Sequence, residues 1–153
     1  MKISIGADHR GFDVKQRIIE HFTDIDWLDV GTFDDQRTHY PLFAQRVCKH
    51  ILQGDADVGI LICGSGIGAA MAANRHKKIY AANCWNETVA RVAKEHDGAN
   101  VLVLPSDFIS NGEAFAIIKA WLSVTFKGGV YAERLAMVDS CPFETPDSPG
   151  SSG

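Results

Sequence analysis

The sequence lacks any apolar run long enough to span a membrane. Met1 leads directly into a β-branched, alternating segment rather than a signal peptide, so a cytoplasmic protein without membrane partners is expected. Basic residues are not in excess. The net charge of −4 argues against a nucleic-acid or anionic-membrane surface while leaving room for a local basic pocket. The four cysteines (Cys48, Cys63, Cys84 and Cys141) lack CxxC or paired metal-ligand spacing, so reduced thiols and no metal site are expected. There are no internal repeats, and no Gly-Lys-Ser/Thr completes a P-loop. What remains is 153 residues, 46% apolar and 22% charged, the composition of one soluble domain. A chain of that length buries about two-thirds of its unfolded surface.

The chain is organised around residues 58–75. Val58 to Ile62 is an apolar run suited to a buried parallel strand, and it ends at Cys63. Gly64, Gly66 and Gly68 follow at alternate positions, and Ala69 to Ala73 is rich in helix formers. This predicts a strand, a tight turn and a helix. Glycines let backbone N–H groups approach a ligand, and a helix N-terminus favours an anion there. The same field is expected to lower the pKa of the Cys63 thiol. Two plainer readings stand beside this one: the turn simply joins strand to helix, or Cys63 is a small core hydrophobe. Gly64, Gly66 and Ala69 also satisfy a dinucleotide fingerprint. The next strand, Ile79 to Asn83, ends without the acidic residue that fingerprint wants, and Glu87 falls in a helix turn.

Taken in order, Lys2 to Ala7 reads as a first strand ending at Asp8-His9, and Gly11 to Phe22 as a helix. Trp27 to Val30 is a second strand closed by Gly31, and the polar segment 32–40 is a loop. Pro41 opens a helix marked by Phe43, Val47, Ile51 and Leu52. After the central unit come strand Ile79 to Asn83, helix Glu87 to His96 and strand Asn100 to Leu104. A helix from Gly112 to Phe126 and a short one from Tyr131 to Val138 complete a domain of residues 1–139. Residues 140–153, rich in Pro, Ser and Gly, are expected to form a disordered tail. Alternating strands and helices predict an α/β fold, a five-stranded parallel sheet between two helical layers. Ligands of such sheets gather at the carboxyl ends of the strands. That edge pools Asp8, His9, Gly31, Thr32, Cys63 to Gly68 and Asn83.

A thiol, a histidine and an amide nest fit nucleophilic catalysis, or proton abstraction beside a carbonyl with the nest holding an enediolate. His96 ends the fourth helix, and its loop Asp97-Gly98-Ala99-Asn100 returns toward the sheet. His21, His39, His50 and His76 have no chemical partner in the sequence.

Gly6-Ala7-Asp8-His9-Arg10-Gly11-Phe12, Asp29-Val30-Gly31-Thr32, Arg37-Thr38-His39-Tyr40-Pro41, Cys63-Gly64-Ser65-Gly66-Ile67-Gly68 and Ala72-Ala73-Asn74 recur in order. Together they resemble the ribose-5-phosphate isomerase B family, which includes the galactose-6-phosphate isomerase subunits. The likeness runs from Lys2 to about Val138. It implies a flavodoxin- or Rossmann-like three-layer sandwich and a homodimer with shared active sites, or a tetramer of such dimers. It also implies aldose–ketose isomerisation of a sugar phosphate through a cis-enediolate, a place in the pentose phosphate pathway, and no cofactor. By the same resemblance Cys63 is the base. A second branch of the family uses a glutamate six positions on, where this chain has Ala69. Ser65 and the amides of Gly64, Gly66, Ile67 and Gly68 would hold the enediolate oxygen. His96 would open the furanose ring, Asp8 would bond the sugar, and Tyr40 and Asn100 its hydroxyls. His9 and Arg134 would meet the phosphate, with Arg134 reaching the partner's site.

The chain departs from the family at the phosphate end. Asp107 stands where an Arg is usual in the turn after strand five, Val130 replaces another Arg, and Asp97 replaces an Asn. Arg10 and Arg37 are candidates to compensate. The leading expectation is interconversion of ribose 5-phosphate and ribulose 5-phosphate. The alternatives are isomerisation of another tetrose, pentose or hexose phosphate, or a non-catalytic sugar-phosphate-binding descendant. A dinucleotide-dependent oxidoreductase is the outlying third class. Retention of Cys63, Ser65 and His96 favours the enzyme over a descendant that only binds.

Overall fold

A computed structural model of the chain describes residues 1–140. The elements are β1 (Lys2–Ala7), α1 (Phe12–His21), β2 (Asp26–Asp29), α2 (Tyr40–Leu52), β3 (Val58–Cys63) and α3 (Ile67–Ala73). They continue as β4 (Ala81–Asn83), α4 (Glu87–Asp97), β5 (Val101–Pro105), α5 (Asn111–Leu122) and α6 (Val130–Ser140). Ser140 is the last residue of α6. The rest of the segment read as a tail, Cys141 included, lies outside the described residues.

All strand pairings are parallel, in the order β2-β1-β3-β5-β4. The expected α/β sheet of five parallel strands is present. Its last two strands are exchanged relative to the 2-1-3-4-5 flavodoxin order. The chain leaves β3, skips one position to lay down β4 as an edge, and returns through α4 to insert β5. Because β2 and β3 flank β1 on opposite sides, the topological switch point falls between β1 and β3. Their carboxyl ends, Ala7 and Cys63, therefore open one crevice.

Alternation along the strands sorts the core into two layers. Ile3, Ile5, Ile60, Ile62, Leu102 and Leu104 pack on α1, α4 and α5 through Ile18, Ala90, Ile117 and Trp121. Leu61, Cys63, Val101 and Val103 face α2 and α3 through Phe43, Val47, Cys48, Ala69 and Ala73. Helix ends follow the sequence. Asn86 caps α4 by accepting the Val89 N–H at 2.8 Å, and Ser110 with Glu113 forms a capping box on α5. The last long helix stops at Leu122, four residues before the expected Phe126, where the Ser123 hydroxyl donates to the Ala120 carbonyl at 2.7 Å.

Burial pushes the Cys48 thiol from 9.0 up to about 11 and the Cys84 thiol up to about 12. Each stays protonated in the folded chain at a pH where the unfolded chain ionises it. Their stabilising effect is complete below about pH 9 and is lost as pH rises through 11 and 12. The urea midpoint should fall between pH 9 and 11. A Cys48→Ala/Cys84→Ala variant should start lower, because it opens two cavities, yet decline less steeply. Parallel declines would remove the thiols as the cause.

Candidate active site

Cys63 closes β3 at only 4% exposure, and the backbone N–H groups of Ala69, Gly66 and Ser65 act on its thiol in favour of the charged form. These donors favour a thiolate, as expected from the sequence. The net result is the opposite of the expectation: the Cys63 pKa is raised. Burial is the main cause, and the Asp8 carboxylate adds repulsion. The amide nest offsets part of that and does not reverse it. The resting group is a buried thiol under a ready-made anion cradle.

Each glycine of the turn is pressed against a neighbour. Gly66 adopts φ +74°, and a Cβ there would overlap Asn83 Oδ1. Gly68 lies under the Tyr40 ring, where an added Cβ would stand 2.5 Å from Cζ, and Gly64 lies against Arg10 and Asp107. The Ser65 hydroxyl accepts the Ile67 N–H at 3.2 Å at the start of α3. Behind the turn, the Cys63 carbonyl accepts the Ser106 N–H and the Gly64 carbonyl the Asp107 N–H, both at 3.0 Å. The Ser106 hydroxyl also lies 3.1 Å from the Arg10 carbonyl. The Asp107 carboxylate pairs with the Arg10 guanidinium. The loops after β1, β3 and β5 are thus laced together.

Asp8 is buried, and its Oδ1 accepts the N–H groups of Arg10 at 3.0 Å and Gly11 at 3.1 Å. His9 Nδ1 accepts the Thr38 N–H at 3.3 Å, while Thr38 Oγ1 accepts the His9 N–H at 3.2 Å. A neutral His9 therefore carries its proton on Nε2. The Thr38 bonds bring the 32–40 loop to the β1 end, and with it the exposed Arg37 and the half-exposed Tyr40. Asp8, His9, Arg37, Tyr40, Cys63, Ser65, Gly64, Gly66, Ile67 and Gly68 therefore share the carboxyl edge.

His96, Asn100 and Arg134 do not join them. His96 sits in the last turn of α4 and stacks on Tyr131 at 4.4 Å between ring centroids, 2° from parallel. Arg134 lies 5.8 Å from the same Tyr131 ring. His96, Asp97, Tyr131, Arg134 and Leu135 line a hollow of about 240 Å³. Asn100 precedes β5, where its Oδ1 accepts the Tyr80 N–H at 2.8 Å and its Nδ2 donates to the Lys78 carbonyl at 2.9 Å. Val101 pairs with Gly59, whereas Cys63 pairs with Pro105. Four strand residues, about 13 Å, separate the two levels. The residues expected at the site thus lie at opposite edges of one sheet.

Sequence reasoning missed the Asp107–Arg10 pair, the Thr38–His9 reciprocal bonds and the Tyr131 stack. The partners are far apart in the chain, and no local pattern marks them. Among the described residues no group of three or more His, Cys, Asp or Glu side chains is arranged to hold a metal ion. No described helix is long and apolar enough to cross a membrane.

A thiol beside a carboxylate and a glycine turn at the switch point of a parallel sheet, with His9 on the same edge, is an arrangement suited to carbonyl or oxyanion chemistry. The family model described as Ribose/Galactose Isomerase matches residues 3–138, and the chain belongs to that family. It is 35% identical over 139 residues to ribose-5-phosphate isomerase B of Escherichia coli K12, covering 90% of this chain and 93% of that one. The crystal structure of a ribose 5-phosphate isomerase from Thermotoga maritima superposes with a TM-score of 0.89 at 39% identity, covering 91% and 97% of the two chains. Ribose-5-phosphate isomerase B from Mycoplasma genitalium, solved with bound ribulose-5-phosphate, gives a TM-score of 0.86 at 37% identity, covering 94% and 97%.

Proposed function

We propose that the chain is an aldose–ketose isomerase that interconverts ribose 5-phosphate and ribulose 5-phosphate through a cis-enediolate, using Cys63 as the base. The observation that carries this reading is the placement of Cys63 at the carboxyl end of β3, directly before the Gly64–Gly68 turn into α3, where backbone N–H groups favour its charged form. A base beside a carbonyl must give up its own proton and then shuttle one between adjacent carbons. The enediolate oxygen must meanwhile be stabilised by donors that need not reorganise. The Gly64–Gly68 turn and Ser65 supply such donors. Asp8 is held by two backbone amides and orients the sugar, with Tyr40 over Gly68 beside it.

The split site supports a homodimer in which each active site takes its base from one copy and His96, Asn100 and Arg134 from the other. In that arrangement His96 opens the furanose ring and Arg134 with His9 holds the phosphate. Ile67 and Met71, one helical turn apart and 56% and 67% exposed, give α3 an apolar outer face suited to such a contact. The catalytic domain is residues 1–139, in line with a family match that ends at 138. We place the enzyme in the cytoplasm, in pentose phosphate metabolism.

Specificity rests on the phosphate end. Arg10, a candidate to replace the absent turn arginine, is already committed to Asp107. That leaves Arg37 and the second copy's Arg134 as the cations for phosphate, with His9 as a hydrogen-bond donor. Turnover on a panel of tetrose, pentose and hexose phosphates tests the reading, with ribose 5-phosphate expected to give the highest kcat/KM. Faster turnover of another sugar phosphate would keep the isomerase and change its substrate. No turnover of any would favour a protein that binds sugar phosphates without converting them.

A further inference from the structure

The edge strand β4 contributes one polar side chain to the catalytic turn. Asn83 pairs in register with Val103, and Val103 with Leu61, so Asn83 projects on the sheet face that carries Cys63 and α3. Its Nδ2 donates to the Ser65 carbonyl at 3.0 Å. Its Oδ1 is buried against Gly66 and has no hydrogen-bond partner among the described residues. A buried acceptor without a donor is unfavourable, and an apolar β-strand residue would fill the position without that cost. What the amide offers instead is its other end, the donor to Ser65.

In a planar trans peptide the carbonyl and the N–H point in opposite directions. The Ser65 carbonyl and the Gly66 N–H belong to one such plane. An Asn83 amide that holds the carbonyl on one side therefore aims the N–H to the other, where the Cys63 sulfur lies. The constraint is needed because glycine tolerates either sign of φ, so nothing intrinsic to Gly66 prevents this plane from turning over. We propose that Asn83 is a positioning residue that locks the Ser65–Gly66 peptide, keeping the nest amides trained on Cys63 and on the oxyanion formed beside it. The inference rests on the reading of Cys63 as the base.

The other charged or titratable groups around the turn are Asp8, the Arg10–Asp107 pair against Gly64, and Tyr40 against Gly68. β3 brings only Cys63 itself, and β4, β5 and α3 bring none. A neutral substitution at position 83 therefore leaves the local charge unchanged, and any shift in the thiol's titration reports the amides.

The test is the pH dependence of Cys63 alkylation by iodoacetamide in the intact protein without substrate, read peptide by peptide with mass spectrometry. Reading each peptide separately keeps Cys63 apart from Cys48 and Cys84, which burial holds at about 11 and 12. Asn83→Leu keeps the branched outline of the side chain with bulkier tips, and Asn83→Ala removes it; both delete the hydrogen bond. Both should move the Cys63 midpoint upward by about one unit, a tenfold lower thiolate fraction below it, and lower kcat at least in proportion. A wild-type midpoint in Asn83→Leu, with only Asn83→Ala altered, would mean that Asn83 merely fills space and would overturn the proposal. If Asn83→Leu does not fold, an unshifted midpoint in Asn83→Ala overturns it equally. A Cys63→Ala variant that retains activity would instead defeat the catalytic reading, whatever the alkylation curves show.

Discussion

Cys63→Ala should lose at least about a thousandfold in kcat on ribose 5-phosphate, consistent with removal of the proton-transferring group. Ligand affinity should stay within a few-fold, because the thiol itself is not placed to hold the phosphate or the hydroxyls. The substitution removes one atom from a site already enclosed by Leu61, Ala69 and the turn, so the fold should persist with a small loss of melting temperature. The burial that raises the Cys63 pKa adds a second signature. Only the thiolate abstracts a proton, so kcat/KM should climb with pH above neutrality in the parent. Coupled assays of turnover across pH, with calorimetric binding of ribulose 5-phosphate to the variant, read both effects. A variant within tenfold of the parent, or a parent with a flat profile through the same range, would remove Cys63 from the role of base.

His96→Ala should cost about a hundredfold in turnover of ribose 5-phosphate, although His96 lies at the edge of the sheet opposite Cys63. Within one copy the two levels lie about 13 Å apart along the strands. The effect is expected because, in the proposed dimer, the hollow lined by Arg134 where His96 stacks on Tyr131 faces the second copy's Cys63. The role proposed for His96 is ring opening, so an acyclic aldose phosphate should suffer less than a cyclic one. Equal losses on both forms would assign His96 to binding instead.

Much of this was legible in the residues themselves. The apolar run into Cys63 and the three alternate glycines located the strand, the turn and the helix. The rule that ligands gather at carboxyl edges brought Asp8, His9 and Cys63 together from pattern alone. What was not legible depends on tertiary geometry. Hydrophobic periodicity identifies β4 and β5 but carries no information about which lies beside β3, and their exchange sets where Asn83 meets the turn. The amides that lower the thiol pKa are readable from Gly-x-Gly, whereas the burial that outweighs them comes from packing by α2 and α3. Asp107 is visible in the sequence as a departure from the family. That it occupies Arg10, 97 residues away, is visible only in the fold. The position of His96 was within reach of topology: a helix leaving the carboxyl end of β4 must finish at the amino edge, away from Cys63.

The central claim is that each active site is assembled from two copies of the chain, and mixing two inactive variants tests it most directly. Cys63→Ala and His96→Ala homodimers each lack one component in both sites. After co-refolding, half the dimers are hybrids, and in each hybrid one site combines an intact Cys63 with an intact His96 from the other copy. Activity should return to about a quarter of the parent value, well above either variant alone. If the mixture remains at the level of its components while native mass spectrometry shows that hybrids have formed, the site is not shared in this way.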